Sequence, residues 1–331
     1  MVHTAHPELT EDEVELYDRQ IRLWGLESQK RLRNAKVLLI GLRGFGAEVC
    51  KNVVLAGVRS ITLLDDGNLA EDEWAQFLAP RDAVGKNRAE SSLTRVKGLN
   101  PMVEVIADTE AVSAKQDAYF TQFDVVVATD LRPWSEALRI NAACRLAGVK
   151  FLCGGVWGCF GFTFADLLLH EYAEDVIQHS AEKKKGEQTK LTVKNTAEFV
   201  PFRDALEVDW RSEQYSNKLS KMDCCYFLMK VLMKFCDEKG RELNPSKREE
   251  EIAELKSLAS EELKKLGVHD DMIPDKMFGC LFSQVSPVCA IVGGVMAQEV
   301  IKTVSQKEQP HNNMFFFNPL NNLGYVACLG N

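Results

Sequence analysis

Several features that define common protein classes are missing from this sequence. Its ten cysteines include no CxxC pair, so the usual spacing of a zinc ribbon is absent. The net charge of -8 argues against a nucleic-acid-binding protein, which needs a basic surface for phosphates. No apolar run reaches the roughly 18 residues that a membrane span needs. The acidic, polar N-terminus does not resemble a signal peptide. We therefore expect an intracellular globular protein that binds neither nucleic acid nor membrane.

Metal ligands at recognisable spacing are also missing. None of the six histidines has a ligand partner at helical spacing, so the sequence predicts no structural metal. Many cysteines lie in apolar runs, which is typical of reduced, buried thiols. We interpret the adjacent pair Cys224 and Cys225 in the same way, because it lies in an apolar helical stretch with no histidine close in sequence.

Short apolar segments alternate with helical ones through the first half of the chain. This alternation predicts an α/β fold, a Rossmann-like, doubly wound and mostly parallel sheet with helices on both faces. The expected strands are residues 37–41, 61–64, 103–107, 124–129 and 150–155, and the expected helices are residues 10–34, 44–56, 85–99 and 134–147.

The pattern changes in the second half. An antiparallel extension is expected at residues 159–169 and a final hairpin at 311–329, which follows an apolar helix at 286–303. That helix carries Gly293 and Gly294, a costly pair unless another backbone packs closely there. Between these parts we expect a mainly helical insertion: a charged, mobile loop at 181–195, then helices at 222–235 and 248–266.

A glycine-rich loop follows the first predicted strand. Gly41, Gly44 and Gly46 are spaced GxxGxG, whereas dinucleotide dehydrogenases prefer GxGxxG. Such glycines permit a tight turn and let the next helix point its N-terminus at phosphate oxygens. Asp65 ends the second strand, where an acidic residue commonly binds a ribose hydroxyl. A tight turn without any ligand explains the glycines equally well.

A second motif, YDRQIRLWG at residues 17–25, precedes the nucleotide-binding pattern. It places Arg19 on a helix outside the fold, from which a cation could reach the phosphates of a neighbouring subunit. The simpler alternative is an exposed ion pair between Arg19 and Asp18 or Glu15, which contributes little.

Together with SPVCAIVGGVMAQEVIK at 286–302 and PHNNMFFF at 310–317, these motifs resemble the ubiquitin-like-protein activating enzymes. That family shares its adenylating fold with the ThiF/MoeB-like bacterial sulfur-carrier adenylases. Within this family, the chain length and the segments at 41–48 and 204–210 most resemble those of the small subunits of heterodimeric SUMO-activating enzymes. The resemblance implies an adenylating-type domain formed by residues 1–174 and 271–331, with residues 175–270 inserted.

The sequence departs from the family's active half at several positions. Residues 70–78 read AEDEWAQFL, and Ala75 replaces the family's phosphate-binding arginine. Arg88 replaces a lysine, and the role of Asp130, near the family's magnesium-binding aspartate, stays open. The resemblance thus implies a degenerate pocket in this chain, formed by Gly41, Gly44, Gly46, Asp65 and Arg88, while ATP and Mg are bound mainly by the partner.

The implied partner is the large catalytic subunit of a SUMO-activating enzyme, and the implied substrate is SUMO. Arg19 would act in trans on the partner's ATP, assisted by Arg22, and the chain would be inactive alone. The family also implies a nuclear and possibly cytoplasmic location, to which Lys183, Lys184 and Lys185 add slight support.

Four alternatives stay open. They are a homodimeric adenylating enzyme for a sulfur-carrier protein, the small subunit of a NEDD8-activating enzyme, an NAD-dependent oxidoreductase and a scaffold without a catalytic role. Ala75 and the missing CxxC pairs argue against the first. The glycine spacing, and the absence of a hydride-transfer constellation, argue against the oxidoreductase.

Overall fold

The computed structural model describes residues 8–178, 189–219 and 222–330. The strands in this part of the chain are Lys36–Ile40 (β1), Ser60–Leu64 (β2), Glu104–Asp108 (β3), Val125–Thr129 (β4), Lys150–Trp157 (β5), Phe160–Asp166 (β6), Leu169–Gln178 (β7), Thr189–Glu198 (β8), Met314–Asn318 (β9) and Leu323–Ala327 (β10). The helices are Glu11–Leu16 (α1), Asp18–Trp24 (α2), Leu26–Asn34 (α3), Gly44–Ala56 (α4), Arg88–Leu99 (α5), Asp117–Phe120 (α6), Trp134–Ala147 (α7), Phe202–Leu206 (α8), Glu213–Leu219 (α9), Cys225–Lys239 (α10), Arg248–Leu266 (α11), Asp275–Phe278 (α12) and Ser286–Ser305 (α13).

Eight of the strands form one sheet, in the order β10-β9-β6-β5-β4-β1-β2-β3. The strands from β1 to β5 pair in parallel, whereas β6, β9 and β10 extend the sheet in antiparallel pairs. The remaining two strands, β7 and β8, form a separate antiparallel hairpin. The expected fold class, a mostly parallel α/β sheet with an antiparallel extension, is confirmed.

The sheet is buried on both faces because its central strands β1, β2 and β4 are mostly apolar. In β1, successive side chains point to opposite sides. Val37 and Leu39 belong to the core beneath α4 and α13, while Leu38 and Ile40 belong to the core beneath α7, α10 and α11. The inserted helices α10 and α11 therefore cover one face of the sheet.

Helix α13 packs closely against α4. A Cβ atom at Gly293 would lie 2.6 Å from the Cβ of Glu48, so the expected close approach is confirmed there; at Gly294 the space is open. By length and mean hydropathy α13 alone among the described helices could span a membrane, contrary to the sequence expectation. Its apolar window is 61% buried inside the protein, as is usual for a core helix.

Two expected boundaries are wrong for identifiable reasons. The predicted helix at 10–34 is three helices, broken at Tyr17 and at Gly25, which has φ +90°. The predicted loop at 181–195 is wrong from Thr189 onward, where β8 pairs with β7 along its whole length. This pairing satisfies the backbone groups of β8, whose threonines and Val193 also favour a strand. Residues 181–188, including the three lysines at 183–185, lie outside the described residues.

Candidate functional site

Helix α2, which carries Arg19, is anchored to the domain through Tyr17. This tyrosine is 2% exposed, and its hydroxyl accepts a hydrogen bond of 2.9 Å from the Nδ2 of Asn100. Its ring lies against Gly57, where a Cβ atom would come within 2.5 Å of the ring. The half-buried Gln20 donates to the Leu55 carbonyl at 3.1 Å. The helix is therefore fixed relative to the C-terminal end of α4.

Arg19 is exposed on this helix and, within the part of the chain that the structure describes, makes no hydrogen bond or ion pair. Asp18 pairs instead with Arg22, at 3.0 Å between Nη2 and Oδ2. The ion pair that was the simpler explanation for Arg19 is therefore absent from the structure. The guanidinium remains available to a second molecule, whereas Arg22 is already paired.

The glycine loop turns tightly at the carboxyl edge of the sheet. Gly41 has φ +84°, and a Cβ atom there would lie 2.2 Å from the carbonyl oxygen of Thr129. At Gly46 the Cβ atom would meet the Gly41 carbonyl oxygen at 2.2 Å. At Gly44 it would meet the Cβ of Ala75 at 2.3 Å, so the alanine in place of the family's arginine packs on the loop itself.

The N-terminus of α4 would face phosphate in a nucleotide-binding protein, but here a side chain occupies it. The amide of Phe45 donates to the Oε1 of Gln284 at 3.1 Å. The other end of this glutamine, Nε2, donates to Asp130 at 2.6 Å. Asp130 follows β4 at the same edge of the sheet, and burial raises the pKa of its carboxyl. Gln284 thus connects the helix terminus to the aspartate whose role was left open.

Asp65 is paired internally as well. It is 5% exposed, and its two oxygens accept bonds from Nη2 and Nε of Arg88, both at 3.0 Å. The Arg88 guanidinium thus engages both oxygens of a carboxylate that would bind a ribose hydroxyl in a dinucleotide-binding protein. Burial would lower the pKa of Arg88, but the bonds and charges of Asp65 and Glu73 outweigh it and raise that pKa.

Two further arginines, Arg43 and Arg132, form ion pairs in the same region with acidic residues from distant parts of the chain. Arg43 pairs with Glu73 at 3.0 Å and also with Glu242, which lies in the connection between α10 and α11. Arg132 donates to Glu242 at 2.7 Å. The sequence predictions missed both Glu242 and Gln284. Glu242 lies 199 residues from Arg43 and Gln284 lies 239 residues from Phe45, so no local pattern marks them.

A cavity of 240 Å³ remains beside these groups, lined by residues that include Gly41, Asp66, Ser113, Arg132 and Glu136. A larger groove of 620 Å³ lies at the opposite edge, where Asp124 and Lys150 adjoin the amino ends of β4 and β5. Open α/β sheets bind ligands at the carboxyl ends of their strands. The smaller cavity is therefore the candidate pocket, and its polar groups are largely paired within the chain.

Comparisons with known proteins agree with this architecture. Among curated proteins, SUMO-activating enzyme subunit 1 of Xenopus laevis is 46% identical over 343 residues, covering 100% of this chain and 99% of that protein. The human protein of the same name is 43% identical over 335 residues, covering 97% and 96%. The crystal structure of E. coli MccB with succinimide shares the fold, with a TM-score of 0.54 at 14% identity, covering 95% of this chain and 71% of that one.

The family assignment rests on a match that covers nearly the whole chain. The ThiF family matches residues 17–328, from Tyr17 on the anchored helix to the last strand of the sheet. This range includes the glycine loop, the core helix α13 and the final hairpin. The chain therefore belongs to the ThiF family.

Proposed function

We propose that this chain is the small, regulatory half of a heterodimeric SUMO-activating enzyme. Its similarity to the SUMO-activating enzyme subunits extends over the full chain. The observation that carries the proposal is the contrast between two sites. The chain's own pocket is filled by its own side chains, whereas Arg19 is exposed on an anchored helix without an ion pair in the described chain.

The own pocket does not fit a magnesium nucleotide. The phosphate-facing amide of Phe45, the carboxylate of Asp65 and that of Asp130 are each engaged by another residue of this chain. Ala75 is 6% exposed and carries no charge toward the loop. We therefore assign the binding of ATP and Mg to the large catalytic subunit.

In the proposed reaction the C-terminal carboxylate of SUMO attacks the α-phosphorus of ATP bound to the partner. A phosphorus–oxygen bond forms to the carboxylate, pyrophosphate leaves, and negative charge grows on the α-phosphate oxygens. Arg19 would stabilise this charge in trans. By analogy with a single donor to an oxyanion, its contribution is about 3 kcal/mol. The SUMO acyl group would then pass to a cysteine thiolate of the partner, and AMP would leave.

ATP–pyrophosphate exchange in the presence of SUMO tests the proposal. It is measured on this chain alone, on the large subunit of a SUMO-activating enzyme alone, and on their mixture. We expect exchange at full rate only in the mixture. Exchange by this chain alone would show a competent pocket around the glycine loop and would favour the self-sufficient adenylating enzyme. Replacing SUMO by NEDD8 in the mixture tests the choice of ubiquitin-like protein.

A scaffold without a catalytic role makes a different prediction for the same assay. If the chain only supports the partner's fold, the mixture is active and Arg19→Ala leaves the exchange rate unchanged. If Arg19 acts on the α-phosphate, the rate falls while the heterodimer still assembles. Size-exclusion chromatography of each mixture separates loss of assembly from loss of chemistry.

We also propose a nuclear and cytoplasmic location, which follows from the family resemblance. Fluorescence imaging of the tagged chain tests this location. A variant with alanine at Lys183, Lys184 and Lys185 tests the lysine run: unchanged nuclear signal would show that the run is not the targeting signal.

A further inference from the structure

Three potential metal-ligand atoms converge where α10 begins, away from the pocket described above. The Asp223 carboxylate and the Sγ atoms of Cys224 and Cys225 all lie within 4.8 Å of one another. Cys224 is 4% exposed and Cys225 is fully buried, whereas Asp223 is half-buried. The cluster is thus shielded, with one side toward the surface.

The two thiols share one acceptor. Cys224 and Cys225 both donate to the Oδ1 atom of Asp223, at 3.4 and 2.7 Å. The other oxygen, Oδ2, accepts a bond of 2.9 Å from Asn321. Two sulfur-bound protons therefore point at one carboxylate oxygen. A cation that replaced both protons would find two sulfurs and one oxygen already gathered around it.

Cys224 is the N-cap residue of α10, a helix of 15 residues, so the cluster lies at the amino end of a helix. The Asn318 side chain is 1% exposed, and its Nδ2 lies 3.4 Å from Asp223 Oδ1, 4.0 Å from Cys224 Sγ and 3.9 Å from Met277 Sδ. The Asn318 amide thus lies between the cluster and the Met277 thioether.

We propose that Asp223, Cys224 and Cys225 form a binding site for a thiophilic divalent cation of the zinc class. Zn²⁺ accepts cysteine sulfur at about 2.3 Å and carboxylate oxygen at about 2.0–2.2 Å, which needs only a small contraction of the cluster. Binding exchanges two thiol protons for one cation, so two protons are released. Three protein ligands leave the fourth tetrahedral position to a water molecule from the surface side.

This inference differs from the reading of the sequence, in which the cysteine pair was only part of the core. The pair lacks CxxC spacing, and no histidine stands near it in sequence. Asp223, which directly precedes the pair, was not among the residues singled out from the sequence. Its Oδ1 atom accepts the Cys225 backbone amide at 3.2 Å, as a capping residue does, and both thiol hydrogens as well.

The test is a metal titration of the full chain, purified reduced and metal-free. Cd²⁺ is the spectroscopic probe, because each thiolate–cadmium bond adds ultraviolet charge-transfer absorption, and Zn²⁺ affinity is measured against a chromophoric chelator. We expect one cation per chain and an absorption change that corresponds to two thiolates. Cys224→Ser and Asp223→Asn should weaken Zn²⁺ binding by at least about ten-fold.

Cys236→Ser is the matched control, because Cys236 is a buried cysteine on the same helix outside the cluster. It should bind as the unmodified chain does. No binding by the unmodified chain, or equal binding by Asp223→Asn, would overturn the proposal. Because Cys225 is fully buried and its replacement could unfold the helix, the half-buried Asp223→Asn variant, checked by circular dichroism, keeps the test decisive.

Discussion

Replacing Arg19 by alanine removes the guanidinium that we place on the partner's α-phosphate. The structure separates the two effects of this change. Arg19 is exposed and makes no hydrogen bond or ion pair in the described chain, so the free energy of unfolding should change by no more than about 0.5 kcal/mol. Lost stabilisation of the developing charge, about 3 kcal/mol, corresponds to a rate lower by roughly 10²-fold.

The assay is the initial rate of ATP–pyrophosphate exchange by the assembled heterodimer, at saturating ATP and SUMO. Arg19→Lys should recover part of the rate, because lysine keeps the charge but loses the planar pair of donors. Arg22→Ala is the comparison variant: the resemblance gives Arg22 only an assisting role and the structure pairs it with Asp18, so the rate should fall less than it does for Arg19→Ala. The variant removes the ion pair between Arg22 and Asp18. Because these two side chains are 78% and 50% exposed, the free energy of unfolding should fall by at most about 0.5 kcal/mol.

The reasoning fails if Arg19→Ala retains exchange within about threefold of the unmodified heterodimer. It also fails if Arg19→Ala and Arg22→Ala lose equal activity, because a general effect of charge on this helix would then explain both. A fall in activity that follows dissociation of the heterodimer would assign Arg19 to the interface rather than to the chemistry. Each result is distinguishable because assembly and exchange are measured on the same samples.

Three further predictions concern the stability of the folded chain. Asn100→Ala should lower the free energy of unfolding by about 2–4 kcal/mol, because it removes two buried hydrogen bonds that the Asn100 amide donates. One of 2.9 Å goes to the Tyr17 hydroxyl and one of 3.0 Å to the Val54 carbonyl. An unchanged thermal midpoint would contradict the role of Tyr17 as an anchor. Gly46→Ala should cost about 2 kcal/mol or more because its Cβ meets a backbone oxygen at 2.2 Å, whereas Gly98→Ala, with open space, should be neutral or stabilising in the same denaturant titration. Burial and a neighbouring lysine lower the pKa of His170 from 6.5 to about 4. The free energy of unfolding should therefore be highest above pH 6.5 and should fall by about 2–3 kcal/mol as the pH drops from 6.5 toward 4, because the unfolded chain binds the proton more tightly. In denaturant titrations at several pH values, His170→Leu should lose this part of the pH dependence.

Elements with local start and stop signals were predictable from the sequence. The helices at 44–56, 134–147 and 248–266 were predicted with the bounds that the structure shows, and each ends at a glycine with positive φ. The buried strands were recognisable because the sheet is covered on both faces and needs continuous apolar runs. The glycine loop was recognisable for a related reason, since its turn leaves no room for a Cβ atom at Gly41.

The features that depend on distant partners could not be predicted. The lysines of β8 suggested a loop, whereas its threonines favour a strand, and its backbone pairs with β7, which the local pattern does not reveal. The groups that occupy the pocket come from separate regions, Glu242 before α11 and Gln284 before α13. Their roles arise from tertiary contact alone. Sequence reasoning named Gly41, Asp65 and Arg88, which line the cavity, but not Gln284 or Glu242.

The bridge made by Gln284 has an evolutionary consequence. One amide side chain bonds both the helix terminus at Phe45 and the Oδ2 atom of Asp130, so loss of the amide at Gln284 removes a hydrogen-bond partner from two polar groups at once. Opening the helix terminus and the Asp65 carboxylate to a ligand would require both Gln284 and Arg88 to release these bonds. Selection for a stable fold would therefore retain both side chains, whatever the cavity binds.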